Sequence, residues 1–146
     1  MPNTCRDGQR TLRPKFGAFA SKKYLEKRGT PRSIADLKDH DLIGEAYGIN
    51  TFKTNLQAVG LSLTNDSFRF RCDDYLTAWS LLVAGCGISL TLVDKGDAEL
   101  RVERILADYQ TSLPVWLSSH RELKTSSRVR YVFDFIAKEL SKLLAR

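Results

Sequence analysis

Apolar residues fall in short compact runs and in longer stripes of helical period along the chain, and Ser, Thr, Asp and Gly separate them. Compact or alternating apolar runs are typical of β-strands. Residues 68–72 alternate cleanly, with Phe68 and Phe70 on one face and Arg69 and Arg71 on the other. The remaining strands are predicted at 16–20, 42–44, 88–93 and 113–119, with 100–106 as a short strand or strand pair.

Helical stripes separate most of these strands, and their boundary residues are readable. Ser21 caps the first predicted helix and Gly29 ends it, while Ser33 caps a second helix of one or two turns. Asn50 or Thr51 begins the third helix, which Gly60 ends. Asp73 or Asp74 caps the fourth, which Gly85 ends. The positions that we expect to face inward on these helices are Tyr24, Leu25, Ile34, Leu37, Phe52, Leu56, Val59, Leu76, Trp79, Leu82 and Val83.

The last segment carries the most regular stripe, and Thr125 or Ser126 is its expected cap. Residues 1–14 lack any period and contain Pro2 and Pro14, so we predict a poorly ordered, basic N-terminus. The apolar positions of the last helix are Val129, Val132, Phe133, Ile136, Leu140, Leu143 and Leu144.

Strands that alternate with helices predict an α/β layer fold with some parallel pairing. In such sheets ligands bind beside the carboxyl ends of the strands, close to helix N-termini. The sequence therefore directs the search for a site to the segments that follow the strands.

Charge is distributed unevenly along the chain. Residues 1–32 carry a net charge of +7, residues 33–112 carry −5 and residues 113–146 carry +4. Basic ends of this kind leave a small nucleic-acid-binding protein as an alternative function. The basic residues are not interleaved with stacking aromatics and show no recognition-helix pattern, so a solvated basic surface is the favoured interpretation.

The three cysteines, Cys5, Cys72 and Cys86, stand far apart, and only His40 and His120 could join them in a metal site. Scattered cysteines of odd number are typical of reduced thiols in the cytoplasm, and no ligand pair has metal-site spacing. We therefore expect a cytoplasmic protein with no metal and no cofactor. The first residues lack the apolar core of a secretory signal, which also argues against a free-standing solute-binding protein.

The stretch SSHRE, residues 118–122, places serine, histidine and glutamate side by side and could suggest catalysis. Neighbouring residues of a strand point to opposite faces, so Ser119 and His120 are poorly placed as a nucleophile and its base. A glycine-rich elbow around the serine is also missing. We therefore predict that the protein is not an enzyme.

Three stretches in this order resemble the effector-binding domain of LysR-type transcriptional regulators, and the similarity covers about residues 16–144. They are FASKKYLEKRGTPRSIADLKDHDLI, DDYLTAWSLLVAGCGISL and LPVWLSSHRELKTSSRVRYVFDFIAKEL. The resemblance implies a type 2 periplasmic-binding-protein-like fold, in which two crossover strands, here 16–20 and 115–118, join two α/β lobes around a small effector. It divides this chain into the N-terminus (1–14), the second lobe (15–113), and a return strand and helix of the first lobe (114–146).

Members of the family also carry a winged helix–turn–helix and the opening elements of the first lobe, which the sequence does not show. We therefore expect a fragment of a regulator that would contact DNA only through the absent helix–turn–helix. The last helix would then fold back on the second lobe, pair with a homo-oligomer partner or another chain that supplies the missing lobe, or be disordered.

The resemblance places effector contacts at the strand end and turn 44–51 and at the start of the fourth helix. Exposed N–H groups at a helix start suit an anionic ligand, but two aspartates at the fourth helix argue against a strongly anionic effector there. Those aspartates could instead be simple helix caps. The candidate effector-binding residues are Gly44, Tyr47, Thr51, Asp73, Asp74 and Tyr75.

Overall fold

The computed structural model describes residues 9–46, 51–118 and 126–144, which fall into two compact units. Unit 1 comprises residues 1–15 and 112–146, and unit 2 comprises residues 16–111. The strands are β1 (Gln9–Leu12), β2 (Lys15–Ser21), β3 (Leu42–Gly44), β4 (Phe68–Arg71), β5 (Ile88–Leu92), β6 (Val102–Ser112) and β7 (Val115–Ser118). The helices are α1 (Lys22–Arg28), α2 (Thr51–Ala58), α3 (Tyr75–Ala84), α4 (Val93–Ala98) and α5 (Ser127–Leu144), with 3-10 helices at Ile34–Asp39 and Asn65–Ser67.

Unit 2 is built on a five-stranded sheet with the order β4-β3-β5-β2-β6. Strand β3 pairs in parallel with both β4 and β5, whereas β5 pairs antiparallel with β2. The sheet is therefore mixed and flanked by helices, which confirms the α/β fold predicted from the alternation of strands and helices.

Two buried clusters cover the two faces of this sheet. Ala18, Ala20 and Leu42 belong to a cluster that includes residues of α1 and α2, whereas Phe19 and Ile43 belong to a cluster with residues of α3. Because successive side chains of a strand point to opposite faces, this alternation means that β2 and β3 are buried on both sides. Burial on both faces also explains why the sequences of β2 and β3 are nearly continuously apolar.

Local capping fixes the ends of α1 and α3 as predicted. The Ser21 hydroxyl accepts a hydrogen bond from the Tyr24 N–H at 3.1 Å, and Gly29 ends α1 with a φ of 82°. Asp74 caps α3, and Gly85 ends it in the left-handed conformation at a φ of 85°. Glycine is favoured there because other residues pay a steric cost at positive φ.

Two of the inward positions predicted on the first four helices are wrong. Val59 follows the last residue of α2 and is 48% exposed, because the chain has already left the helix and turns at Gly60. Leu76 is 67% exposed in the first turn of α3. It lies about 120° around the helix from Leu82, the residue that marks the buried side of α3.

The segment after β5 differs most from the sequence prediction in unit 2. Residues 93–98 form α4, which the sequence did not predict. Gly96 permits this helix to approach the sheet, because a Cβ at Gly96 would lie 2.3 Å from the ring of Phe19. The following strand β6 continues to Ser112, well beyond the predicted 100–106.

Unit 1 contains an antiparallel pair, β1 with β7, in which Gln9 lies opposite Ser118 and Leu12 opposite Val115. The prediction that the N-terminus is poorly ordered is therefore wrong for residues 9–12, while residues 1–8 lie outside the described residues. Backbone hydrogen bonds to a strand more than a hundred residues away supply the order that local sequence lacks.

Helix α5 is confirmed and contacts β1 within unit 1. Among its described side chains the most buried is Ala137, at 1% exposure, whereas Val132 and Ile136 are exposed, in contrast to the predicted stripe. The side chains of Leu143 and Leu144 lie outside the described residues. None of the helices in the described ranges is long and apolar enough to cross a membrane.

Candidate functional site

The carboxyl ends of β3, β4 and β5 lie at one edge of the unit 2 sheet, because β3 runs parallel to both of its neighbours. We call this edge the carboxyl edge. It also carries the starts of α2 and α3, which follow β3 and β4 in the chain. Of the candidate effector-binding residues, it brings together Gly44, Thr51, Asp73, Asp74 and Tyr75, whereas Tyr47 lies outside the described residues.

Hydrogen bonds tie the loop after β3 to the loop after β4. The carbonyl of Gly44 accepts a hydrogen bond from the Cys72 N–H at 2.8 Å. In return, Asp73 Oδ1 accepts one from the Ala46 N–H at 2.8 Å. Gly44 and Asp73 therefore serve first to fix the position of the two loops, and the Asp73 carboxylate remains exposed at their junction.

Thr51 begins α2, and its N–H donates to the carboxylate of Glu45. The Asn55 side-chain amide donates to the Thr51 carbonyl at 2.8 Å and accepts from the Thr111 hydroxyl, also at 2.8 Å. This chain of bonds links the start of α2 to the end of β6. Sequence reasoning included Glu45 only within the turn 44–51 and missed Asn55 and Thr111, since no local pattern indicates which distant residues meet.

Asp74 is the cap of α3. Its Oδ1 accepts hydrogen bonds of 2.7 Å from both the N–H and the hydroxyl of Thr77. These bonds, the hydroxyl first, lower the pKa of Asp74 below its ordinary value of 3.8, so the carboxylate is charged near neutral pH. The interpretation of Asp74 as a helix cap is therefore confirmed.

Tyr75 joins α3 to β5. Its hydroxyl shares a 2.8 Å hydrogen bond with the hydroxyl of Thr91, which is 2% exposed near the end of β5. The Lys95 ammonium lies 5.1 Å from the centre of the Tyr75 ring and 4.4 Å from that of Trp79, within range of a cation–π interaction. Thr91 and Lys95 were not recognised from the sequence, although Thr91 stands at the carboxyl end of a predicted strand.

The structure describes only part of the residues that the sequence analysis considered for metal binding and catalysis. No group of three or more metal-ligating side chains occurs within residues 9–46, 51–118 and 126–144. Ser118 ends β7, while Ser119, His120 and Glu122 lie outside the described residues. The geometry of the SSHRE stretch therefore stays a prediction.

Comparison with known proteins identifies a family and a fold. The family model of the LysR substrate binding domain matches residues 7–141. The HTH-type transcriptional regulator CrgA of Neisseria meningitidis serogroup C (strain 8013) is 33% identical over 138 residues. That match covers 89% of this chain and 45% of CrgA, so the chain spans about half the length of this relative.

Solved structures agree with this result. The structure of the CrgA regulatory domain is similar with a TM-score of 0.66 and 26% identity, over 94% of this chain and 72% of that one. The regulatory domain of AphB from Vibrio vulnificus has a TM-score of 0.61 at 20% identity, over 91% of this chain and 71% of that one, and supports the fold alone. The type 2 periplasmic-binding-protein-like fold implied by the sequence is thereby confirmed.

Proposed function

The chain belongs to the LysR substrate-binding domain family, and from that premise we propose that it binds a small effector at the carboxyl edge as the sensing part of a cytoplasmic transcription regulator. The single observation that carries the proposal is the convergence of three strand ends and two helix starts on that edge. Ligands of α/β sheets bind at such places. The proposed contacts are Gly44, Tyr47, Thr51, Asp73, Asp74 and Tyr75, to which Thr91 and Lys95 are added.

The charged side chains at the carboxyl edge restrict which effectors can bind there. The carboxylates of Glu45 and Asp74 accept the N–H groups of Thr51 in α2 and Thr77 in α3, and they place negative charge at both helix starts, which disfavours an anionic ligand there. Asp73 adds a third carboxylate, and Lys95 is the cation that lies against Tyr75. A neutral or cationic metabolite with hydrogen-bonding groups therefore suits this edge better than a strong anion.

The proposal concerns binding and not turnover. The relative with the matched sequence is a transcriptional regulator, which supports a sensory role over an enzymatic one. We further propose that the protein acts with other chains, either as a homo-oligomer or with a chain that completes the first lobe, and that a helix–turn–helix domain makes any DNA contact.

A thermal-shift screen of a metabolite library with the full chain tests the proposed site. A ligand present at about a hundred times its dissociation constant stabilises the folded state by about 2.7 kcal/mol. We expect neutral or cationic hits whose stabilisation is reduced by Tyr75→Phe and by Thr51→Ala. The matched control is Ser80→Ala, because Ser80 lies on the same helix as Tyr75 and its hydroxyl bonds only to the carbonyl of Leu76 among the described residues.

Hits that lose affinity in the two edge variants and keep it in the Ser80 control support the proposal. Hits that bind all variants equally would remove the carboxyl edge as the site, since Tyr75 and Thr51 stand on its two helices.

A further inference from the structure

The face of α5 opposite its buried side is apolar and yet exposed. Tyr131 is 75% exposed, Val132 53%, Phe135 56% and Ile136 37%. Because successive residues of a helix are about 100° apart, these four side chains lie within an arc of about 140°. Ala137, the most buried of the described side chains of α5, lies about 170° from the middle of that arc. We call Tyr131, Val132, Phe135 and Ile136 the apolar ridge.

Unit 1 buries little else within its described residues. The side chains buried there are Leu12, Pro14 and Ala137, whereas unit 2 contains two buried apolar clusters. A single pair of antiparallel strands is marginally stable in water, and a helix that is apolar on opposite sides is typically buried on both. Contiguous exposed apolar surface of this kind marks a site of protein association. The apolar ridge therefore has the composition of a surface that another polypeptide covers.

Two opposite charges continue the line of the apolar ridge, one beyond each end. Arg128 lies one turn before the ridge and Glu139 one turn after it, both within about 20° of the middle of the arc. Arg128 is exposed and makes no ion pair or hydrogen bond within the described part of the chain. It stands in the first turn of α5, which has no acidic residue, and a positive charge is unfavourable there because it opposes the helix dipole.

The carboxylate of Glu139 is available to a second cation. Its Oε1 lies 2.8 Å from the Lys142 ammonium, and its Oε2 has no partner within the described residues. The Lys142 pair is itself exposed to solvent, so it holds Glu139 only weakly. An arginine from another chain could therefore bind Glu139 without displacing a buried contact.

These positions are complementary to themselves when two copies of α5 run antiparallel. If the two-fold axis passes between residues 133 and 134, the apolar ridges meet, with Tyr131 of one copy opposite Ile136 of the other. The same register sets Arg128 opposite Glu139 at both ends of the contact. A parallel pair would instead set like charges against each other, which is unfavourable. A two-fold interface requires this kind of self-complementarity.

We propose that the apolar ridge is the surface through which two copies of this chain form a dimer, with their α5 helices antiparallel and Arg128 of each copy paired with Glu139 of the other. This inference selects the homo-oligomer among the partners proposed above and rests on that part of the proposed function. Effector binding at the carboxyl edge does not depend on it. The ridge is smaller than the roughly 20–30 residues per partner of a standard interface, so the dimer should dissociate in the micromolar range.

Sedimentation equilibrium of the full chain at about 1 to 300 µM tests whether the dimer forms. We expect the mass to rise across this range from that of one chain toward that of two. A chain that stays monomeric at the highest concentration would leave the apolar ridge to a different protein and would overturn the proposal.

Charge reversal separates this arrangement from other dimers. Arg128→Glu and Glu139→Arg each set like charges together at both ends, so each should weaken the dimer about tenfold. Arg128→Glu should also stabilise the helix itself, since it adds a negative charge in the first turn, so its loss of association cannot be attributed to unfolding. The double variant, or an equimolar mixture of the two single variants, should regain the affinity of the unaltered chain.

Asp134→Arg is the matched control, because Asp134 is exposed on the same helix about 130° from the middle of the ridge. It should leave the dissociation constant unchanged. Reversals at Arg128 and Glu139 that have no more effect than this control would overturn the arrangement, as would a mixture that associates no better than its components. If that failure occurs while the thermal-shift hits keep their dependence on Tyr75 and Thr51, this inference alone is contradicted.

Discussion

The amphipathic helices of units 1 and 2 differ in how much of their apolar surface is buried. In unit 2, α1 and α2 bury the apolar positions Tyr24, Leu25, Phe52 and Leu56 against the sheet. In unit 1, α5 has the most regular stripe of the chain, yet its exposed apolar side chains are Tyr131, Val132, Phe135 and Ile136. A periodic stripe therefore predicts that a helix forms, whereas the surface that covers the helix depends on what else the fold brings to it.

The largest expected effect contrasts two neighbouring apolar residues of unit 2. Leu56→Ala removes a fully buried side chain and should lower the free energy of unfolding by about 2–5 kcal/mol. Val59→Ala, three residues later and half exposed, should lower it by less than about 1 kcal/mol. Urea unfolding of the two variants provides the comparison, and equal losses would show that Val59 is buried in solution.

Each unit contains one tryptophan, Trp79 in unit 2 and Trp116 in unit 1. Variants that keep only one of them therefore report separately on each unit by fluorescence. If Leu56→Ala shifts the Trp79 transition without moving the Trp116 transition, the units unfold independently. Coincident shifts would instead show that unit 1 requires a folded unit 2.

A second prediction concerns the tight contact at the end of α3. Gly85→Ala places a Cβ at positive φ and 3.0 Å from the Ser21 hydroxyl, the cap of α1. We expect a loss of about 1–2 kcal/mol in the free energy of unfolding, measured in urea. Gly60→Ala is the matched control, because Gly60 has a similar φ of 91° and open space around it. If the free energy of unfolding falls equally in both variants, the contact with Ser21 adds nothing to the cost of backbone strain.

The third prediction is that the stability of unit 2 depends on pH through His40. The Tyr24 hydroxyl accepts the Asp41 N–H at 2.8 Å, so its own proton is available to His40 Nδ1 at 3.1 Å. Burial, followed by the charge of Arg28, lowers the pKa of His40 below 6.5. The unfolded chain therefore takes up the proton first, and the stability present above pH 6.5 declines as the pH falls through that value.

Urea unfolding at a series of pH values, followed at Trp79, measures this effect. His40→Asn should flatten the dependence of stability between about pH 7.5 and 5.5. An unchanged slope in this variant would assign the proton uptake to another group. At more acid pH, the lowered pKa of Asp74 predicts a further loss that the His40 variant retains.

The smallest expected effect on stability lies in unit 1. Phe135→Lys changes an exposed side chain of α5 and should alter the free energy of unfolding by no more than about 0.5 kcal/mol. If the exposed face of α5 associates with another copy, the same change should reduce the mass measured by light scattering after size exclusion. An unaltered mass would show that this face does not mediate association, and Lys138→Glu on the same helix is the surface control.

Local interactions account for the parts of the fold that the sequence predicted well. Ser21, Gly29, Asp74 and Gly85 act within one helical turn of the boundaries that they mark, so their residue types reveal the boundaries directly. The strand 68–71 was likewise readable, because its alternating side chains face a buried and an exposed side.

The parts that were missed depend on distant residues. Helix α4 contains a glycine and two aspartates, which are poor helix formers, and it packs where Gly96 meets Phe19. At the candidate site, the rule for strand ends pointed to the segments that follow the strands, and the resemblance to the family supplied the candidate residues in them. The partnership of Tyr75 with Thr91 was not predictable, since only the paired sheet brings α3 beside the end of β5.

The pairing of β1 with β7 bears on the order in which the chain acquires its structure. Because Gln9 lies opposite Ser118, the whole of unit 2 lies in the loop between the two strands. Closing so long a loop early costs more entropy than closing one already shortened by folding, so unit 2 should become structured first. During synthesis, the residues of β1 are made more than a hundred residues before those of β7, so β1 stays without this partner until β7 has been made.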